Sequence, residues 1–237
     1  MPNISTSSKI AATQGYGAQV SFSGPTLPER QVVIDRIIEQ TGATFVSPYD
    51  DENVVLGQGT LALEFEEQVR ALTGGEGRLD AVITPCGGGG LLSGVATALA
   101  GTGIRVYGAE PSFEGADDCR RGLAAGERVT VVKTLTIADG LRMPVGEIPW
   151  GVISDRTKVH GMFAVSEREI LQAMRLVMER MKVFVEPSAV VGLAVVLFNE
   201  EFRSLVGPGE WNVGVVLTGG NTTMEAVGKL FAATSSQ

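Results

Sequence analysis

The chain has 237 residues, 44% of them hydrophobic and 19% charged, with a formal net charge of -8. That composition belongs to a globular domain, or to one domain plus part of another, and the lack of any Lys/Arg-rich block excludes nucleic acid as the main partner. No basic stretch leads into an apolar core at the N-terminus and no run of about 18 apolar residues occurs, so neither a signal peptide nor a membrane partner is expected.

In chain order, the alternation in "AQVSFS" (18–23) predicts a strand. The segment "LPERQVVIDRIIEQTG" predicts a helix with Pro28 near its start and Gly42 at its end. "ATFVSP" (43–48) predicts a second strand, and "GQGTLALEFEEQVRALTGG" a helix from Gly57 that ends at Gly74 and Gly75. "LDAVITP" (79–85) has the continuous apolar character of a buried strand, and the four glycines after it open the helix "LLSGVATALA". "RVYGAE" (105–110) is the next strand, and 111–165 reads as loops with short elements. Ser166 and Glu169 form a capping box ahead of a helix whose apolar stripe is Ile170, Met174, Val177 and Met181, a pattern of core packing. A second buried helix starts near Pro187, and "NVGVVLTGGN" (212–221) is a last buried strand. Strand and helix alternating with apolar strands means an α/β fold, a parallel sheet covered by helices on both faces.

In such a sheet, ligands sit at the carboxyl ends of strands. Three glycine-bearing ends point there: "TPCGGGG", "YGAEP" and "LTGGN". A strand, a bare-backbone loop and a helix start make an anion cradle, because backbone N–H groups and the helix dipole face the anion. The P-loop spacing fails, since Val95 follows Gly94 where Lys is required. The dinucleotide spacing fails at its third glycine, where Leu92 or Ser93 stands, although Glu110 lies where a ribose-binding acid would fall and keeps an NAD-binding alternative open. Cys86 and Cys119 form no CxxC and no zinc spacing; they read as passive thiols in a reducing, cytoplasmic setting. His160, the single histidine, reads as a surface or packing residue.

A third cradle holds the phosphate of pyridoxal 5'-phosphate (PLP). "VITPCGGGGLLSG", "VYGAEP", "ADDC", "TIADGL", "MKVFVEPSAVVGLAVV" and "VVLTGGN", with "GYGAQV" and "GQGTLALE" upstream, occur in the order and spacing of the serine racemase and serine/threonine dehydratase family. The sequence resembles that family from about residue 1 to 231. The resemblance implies a fold type II PLP enzyme, tryptophan synthase β-like, acting on serine or threonine as an ammonia-lyase or racemase and commonly homodimeric. It implies cofactor contacts from Gly87, Gly88, Gly89, Gly90, Leu91, Gly140, Glu186 and Thr218, and an Mg2+ or Ca2+ site at Glu110, the carbonyl of Ala116 and Asp118. "EPSFEGADD" is longer than the family spacing between Glu110 and the Asp pair.

The family's Schiff-base motif, Ser-x-Lys-x-Arg-Gly, does not occur in these residues. Of the five lysines, Lys9, Lys133, Lys158, Lys182 and Lys229, none has those neighbours. The expectation is a C-terminal portion of such an enzyme, N-terminally truncated and inactive alone, with 1–56 the remnant of a small domain and 57–237 most of a large PLP-binding one. The alternative is a non-catalytic partner or regulatory fragment of the same fold.

Overall fold

The computed structural model describes residues 1–206 and 209–234, so the last residues of the expected 57–237 unit lie outside the described ones. Helices α1 (Ser7–Gly15), α2 (Leu27–Thr41) and α3 (Glu52–Leu72) come first. Then β1 (Ala81–Pro85), α4 (Gly90–Ala98), β2 (Arg105–Pro111), α5 (Asp118–Ala125), α6 (Glu147–Ile153) and β3 (Gly161–Val165) alternate. The chain closes with α7 (Glu167–Leu176), α8 (Val191–Phe198), α9 (Glu200–Val206), β4 (Val213–Val215) and α10 (Met224–Thr234).

The four strands form one parallel sheet in the order β3-β2-β1-β4. Side chains alternate across it, as the two-residue period requires. Ala81, Ile83, Tyr107, Ala109, Phe163 and Val165 face a core with residues of α7, α8 and α10. Val82, Val106 and Met162 face a second core with α3, α4 and α6. The path moves from β1 outward to β2 and β3, then returns to the far side of β1. The strand order therefore reverses between β1 and β4, and the crevice at their carboxyl ends is where such sheets take ligands.

The helix boundaries follow local chemistry. Thr26 and Glu29 form a complete capping box at α2, and Gly42 closes that helix at φ 69. Ser166 and Glu169 do the same at α7. Asp51 caps α3 by accepting from Asn53 and Val54 N–H, so α3 starts before the expected Gly57. Ile170, Met174 and Val177 are buried as expected, but Met181 is 58% exposed, because a π-helical turn over 177–181 rotates it off the stripe.

Two expected strands are corrected. Residues 18–23 and 43–48 have no ladder partner among the described residues; Ser23 makes a single bridge to Pro2, and 43–46 are exposed. An alternating pattern without a neighbouring edge cannot satisfy its backbone as a strand. Conversely, β3 and the helices α5 and α6 lie inside 111–165, where loops with short elements are expected. Among the described side chains of 1–51, only Ser23 is buried.

Helices α3 and α4 approach closely through bare backbone. A Cβ at Gly59 would lie 2.7 Å from the Gly94 carbonyl oxygen, and one at Gly94 would lie 2.6 Å from Gly59 N. Gly94→Ala is expected to cost about 1–3 kcal/mol, as overpacking does. Gly57→Ala, exposed on α3 with nothing within 4 Å, should instead stabilise by about 0.5–1 kcal/mol. Urea unfolding measures both, and equal effects would contradict this crossing.

Candidate active site

β1 ends at Pro85, Cys86 N–H donates to the Ala109 carbonyl, and the chain then runs through Gly87–Gly90 into α4. Each glycine is bare because protein, not solvent, occupies its outer side. A Cβ at Gly87 would sit 3.0 Å from Leu141 Cα and 3.1 Å from the Gly140 oxygen. At Gly88 it would run into the Tyr49 ring, and at Gly90 it would lie 3.0 Å from Tyr49 Cα. Gly89 adopts φ 88, a left-handed conformation, and its Cβ would lie 2.8 Å from Pro149 Cβ. The loop is thus clamped from outside while the first-turn amides of α4 receive no side-chain cap. Those amides are the orphan donors of a helix start, at its positive dipole end. This arrangement fits a phosphate group.

Two segments hold the clamp. Asp50, next to Tyr49, accepts from Glu147 and Ile148 N–H at 3.1 and 2.9 Å and so caps α6 across nearly a hundred residues. Gly146 N–H donates to the Gly88 carbonyl at 3.0 Å, and the preceding Val145 N–H donates to Asp118 Oδ2 at 3.2 Å. The glycine loop and the expected cation ligand Asp118 are therefore tied to adjacent residues of one segment.

Beside Gly87, Gly140 N–H donates to Ser188 Oγ at 3.0 Å. Glu186 N–H donates to the Gly219 carbonyl at 3.1 Å, and Glu186 Oε1 lies 3.8 Å from where a Gly219 Cβ would be. Thr218, just before Gly219, is exposed. The Glu186 carbonyl accepts from Ala189 N–H at 3.1 Å and opens the short 3-10 turn over 187–190. So the fold brings Gly87–Leu91, Gly140, Glu186 and Thr218 to the carboxyl ends of β1 and β4. Lys9, to which the sequence assigns no role, joins them: its ammonium is 2.7 Å from Asp139 Oδ2 and acts electrostatically on Glu186. No short-range signal marks that contact, because 130 residues separate the partners.

Glu110 is fully buried at the end of β2, and its two oxygens accept from Cys119 and Arg120 N–H at 2.9 Å each. Burial pushes its carboxyl well above the usual range, Cys119 and Asp118 add to this, and the two N–H donors oppose it. Burial raises Asp118 to about 6, against the Val145 N–H that favours the charged form. Ala116 is buried, on the turn between Glu110 and Asp118. His160 is exposed and accepts from Val106 N–H through Nδ1 at 3.2 Å, a packing role.

The model of the family described as "Pyridoxal-phosphate dependent enzyme" matches residues 1–219. The chain belongs to that PLP-dependent enzyme family. It is 38% identical to a serine racemase from Arabidopsis thaliana over 94% of its own length, and it spans 65% of the length of that relative. The solved structure of maize serine racemase superposes with a TM-score of 0.86 at 35% identity, covering 99% of this chain and 68% of that one. A solved threonine deaminase superposes with a TM-score of 0.80 at 36% identity, over 91% of this chain and 67% of that one. The fold is that of the fold type II PLP enzymes. No helix among the described residues is long and apolar enough to cross a membrane.

Burial raises the Glu186 carboxyl, Lys9 partly lowers it, and Asp139 raises it. Between its unfolded and folded values the folded state holds the extra proton, so this group's contribution to stability is lost as pH rises through that window. Glu186→Gln is expected to remove that loss. Urea unfolding from pH 4 upward should show the variant gaining on the native chain as pH rises; a gap that stays constant or narrows would contradict the raised value.

Proposed function

We propose that this chain carries the cofactor-holding side of a serine racemase or serine/threonine ammonia-lyase, with Gly87, Gly88, Gly89, Gly90 and Leu91 around the PLP phosphate. The convergence of that loop with Gly140, Glu186 and Thr218 at the carboxyl ends of β1 and β4 carries this reading. When bound, PLP draws electrons away from the α-carbon of an amino acid. The chain's own residues set how strongly. Thr218 would offer a hydroxyl to the pyridine nitrogen, and a hydroxyl can donate to a neutral nitrogen where a carboxylate would favour a protonated one. A neutral ring is the weaker electron sink, which suits loss of a β-hydroxyl from serine or threonine. Ser188 fixes the Gly140 backbone against the loop, and Glu186 would offer its partly buried carboxyl to the ring. Glu110, the Ala116 carbonyl and Asp118 would hold Mg2+ or Ca2+, hard cations that take oxygen ligands, and so stiffen the Val145–Gly146 link to the loop.

The lysine that this chemistry uses for covalent attachment and proton transfer is not met within these 237 residues. Lys9, the lysine beside the crevice, is paired with Asp139 at 2.7 Å. The chain alone is therefore expected to bind PLP without a covalent link and to leave serine and threonine unchanged. The test is incubation with PLP, borohydride reduction and peptide mass spectrometry, alongside assays for pyruvate, 2-oxobutanoate and D-serine. No pyridoxyl-modified lysine and no product are the expected results; a pyridoxyl group on Lys9, or turnover, would overturn them.

A second reading, a non-catalytic partner of a complete enzyme of this fold, draws on apolar side chains exposed in the first fifty residues: Phe22, Val32, Phe45 and Val46. Co-elution with a full-length relative in size-exclusion chromatography would support it, and separate elution would count against it.

A further inference from the structure

The β1–β2 register pairs Pro85 with Ala109, so the next positions, Cys86 and Glu110, are neighbours. Helix α5 returns its first turn to the same place, because Cys119 N–H and Arg120 N–H both donate to the Glu110 carboxylate. The result is a group of three donors, Cys86 Sγ, a Glu110 oxygen and Cys119 Sγ, all within 4.8 Å of one another. All three residues are buried, at 1%, 0% and 1% exposure. Both thiols are free of disulfide.

Two sulfurs bound tetrahedrally to one zinc at ~2.3 Å stand ~3.8 Å apart, so a group this tight closes on a metal with small side-chain rotations. Each Glu110 oxygen accepts one N–H and retains a lone pair for a cation. Thiolates select soft or borderline metals, and neither Mg2+ nor Ca2+ takes sulfur. Thr84, two residues before Cys86 and so on the same sheet face, is fully buried with a hydroxyl that has no hydrogen-bond partner among the described residues. That face therefore holds an unmet polar group two residues along β1 from Cys86.

We propose that Cys86, Glu110 and Cys119 form a site for a thiophilic divalent cation, Zn2+ or its analogue Cd2+, distinct from the oxygen donor set of Glu110, Ala116 and Asp118 and competing with it for Glu110. Loading releases the two thiol protons, and the Glu110 carboxyl proton where that group is protonated, to solvent and forms two metal–sulfur bonds and one metal–oxygen bond. The site sits at the root of the glycine loop, so its occupation draws on the carboxylate that caps α5 and anchors the oxygen site. It depends on this chain's own residues and not on PLP.

The experiment is titration of the folded chain, free of PLP, with Cd2+, followed by ultraviolet absorption. A thiolate-to-cadmium charge-transfer band that saturates at one ion per chain is expected. It should be lost in Cys86→Ser and in Cys119→Ser, and it should persist in Asp118→Asn, which belongs to the oxygen set. X-ray absorption of the Zn2+-loaded native chain gives a readout that needs no variant: a shell of two sulfurs at ~2.3 Å is expected. No charge-transfer band in the native chain, a band that survives both serine substitutions, or a zinc shell of oxygen and nitrogen alone would overturn the proposal.

Discussion

The site depends on one steric constraint: four consecutive residues at the end of β1 must have no side chain. Gly87 through Gly90 are pressed by Leu141, Tyr49 and Pro149 from outside, and a Cβ at any of them would meet an atom at about hard-contact distance or closer. Four ordered glycines are costly, because glycine loses more backbone freedom on folding than any other residue. What the packing obtains is a loop whose conformation is fixed by its surroundings and whose amides stay uncommitted. A preorganised loop can then meet an anion without first being ordered by it.

The parts around the loop follow from holding it. Asp50 places Tyr49 and caps α6 together, so the face of the loop and the helix beneath it are positioned by one residue. Val145 and Gly146 join the loop to Asp118, and through α5 to Glu110. The reversal of strand order at β1 brings Gly219 and Glu186 to the opposite wall. The acids Glu110 and Asp118 and the glycine loop are thus joined by a path of three hydrogen-bonded links; burial favours the neutral form of Glu110, and a bound cation would favour its charged form.

Much of this is legible in the sequence, and for stated reasons. The capping box at Ser166–Glu169, Pro28 near the start of α2, a closing Gly42 and apolar runs at β1 and β2 are local signals, and local signals survive folding, whereas the Thr26–Glu29 box at α2 emerges only in the structure. The glycine run marks the cradle because few other structures need four bare residues together. The misses are long-range. Residues 18–23 and 43–48 have strand-like alternation, but a strand exists only by pairing, which sequence pattern does not supply. β3 stays hidden because "GMFAV" is short and begins in glycine. Lys9–Asp139 and Cys86–Glu110–Cys119 are contacts made by topology, between residues that carry no shared spacing. The sulfur pair in particular has none of the short intervals by which zinc ligands are recognised.

The central claim is that Gly87–Leu91 bind the phosphate and not the ring of PLP. Calorimetry comparing PLP with pyridoxal, which has the ring and aldehyde but no phosphate, tests it most directly. Saturable binding of PLP, weakened severely by Gly89→Asp, with pyridoxal failing to bind, is the result expected from an uncapped helix start. Equal affinity for both compounds, or PLP binding indifferent to a carboxylate at residue 89, would contradict it.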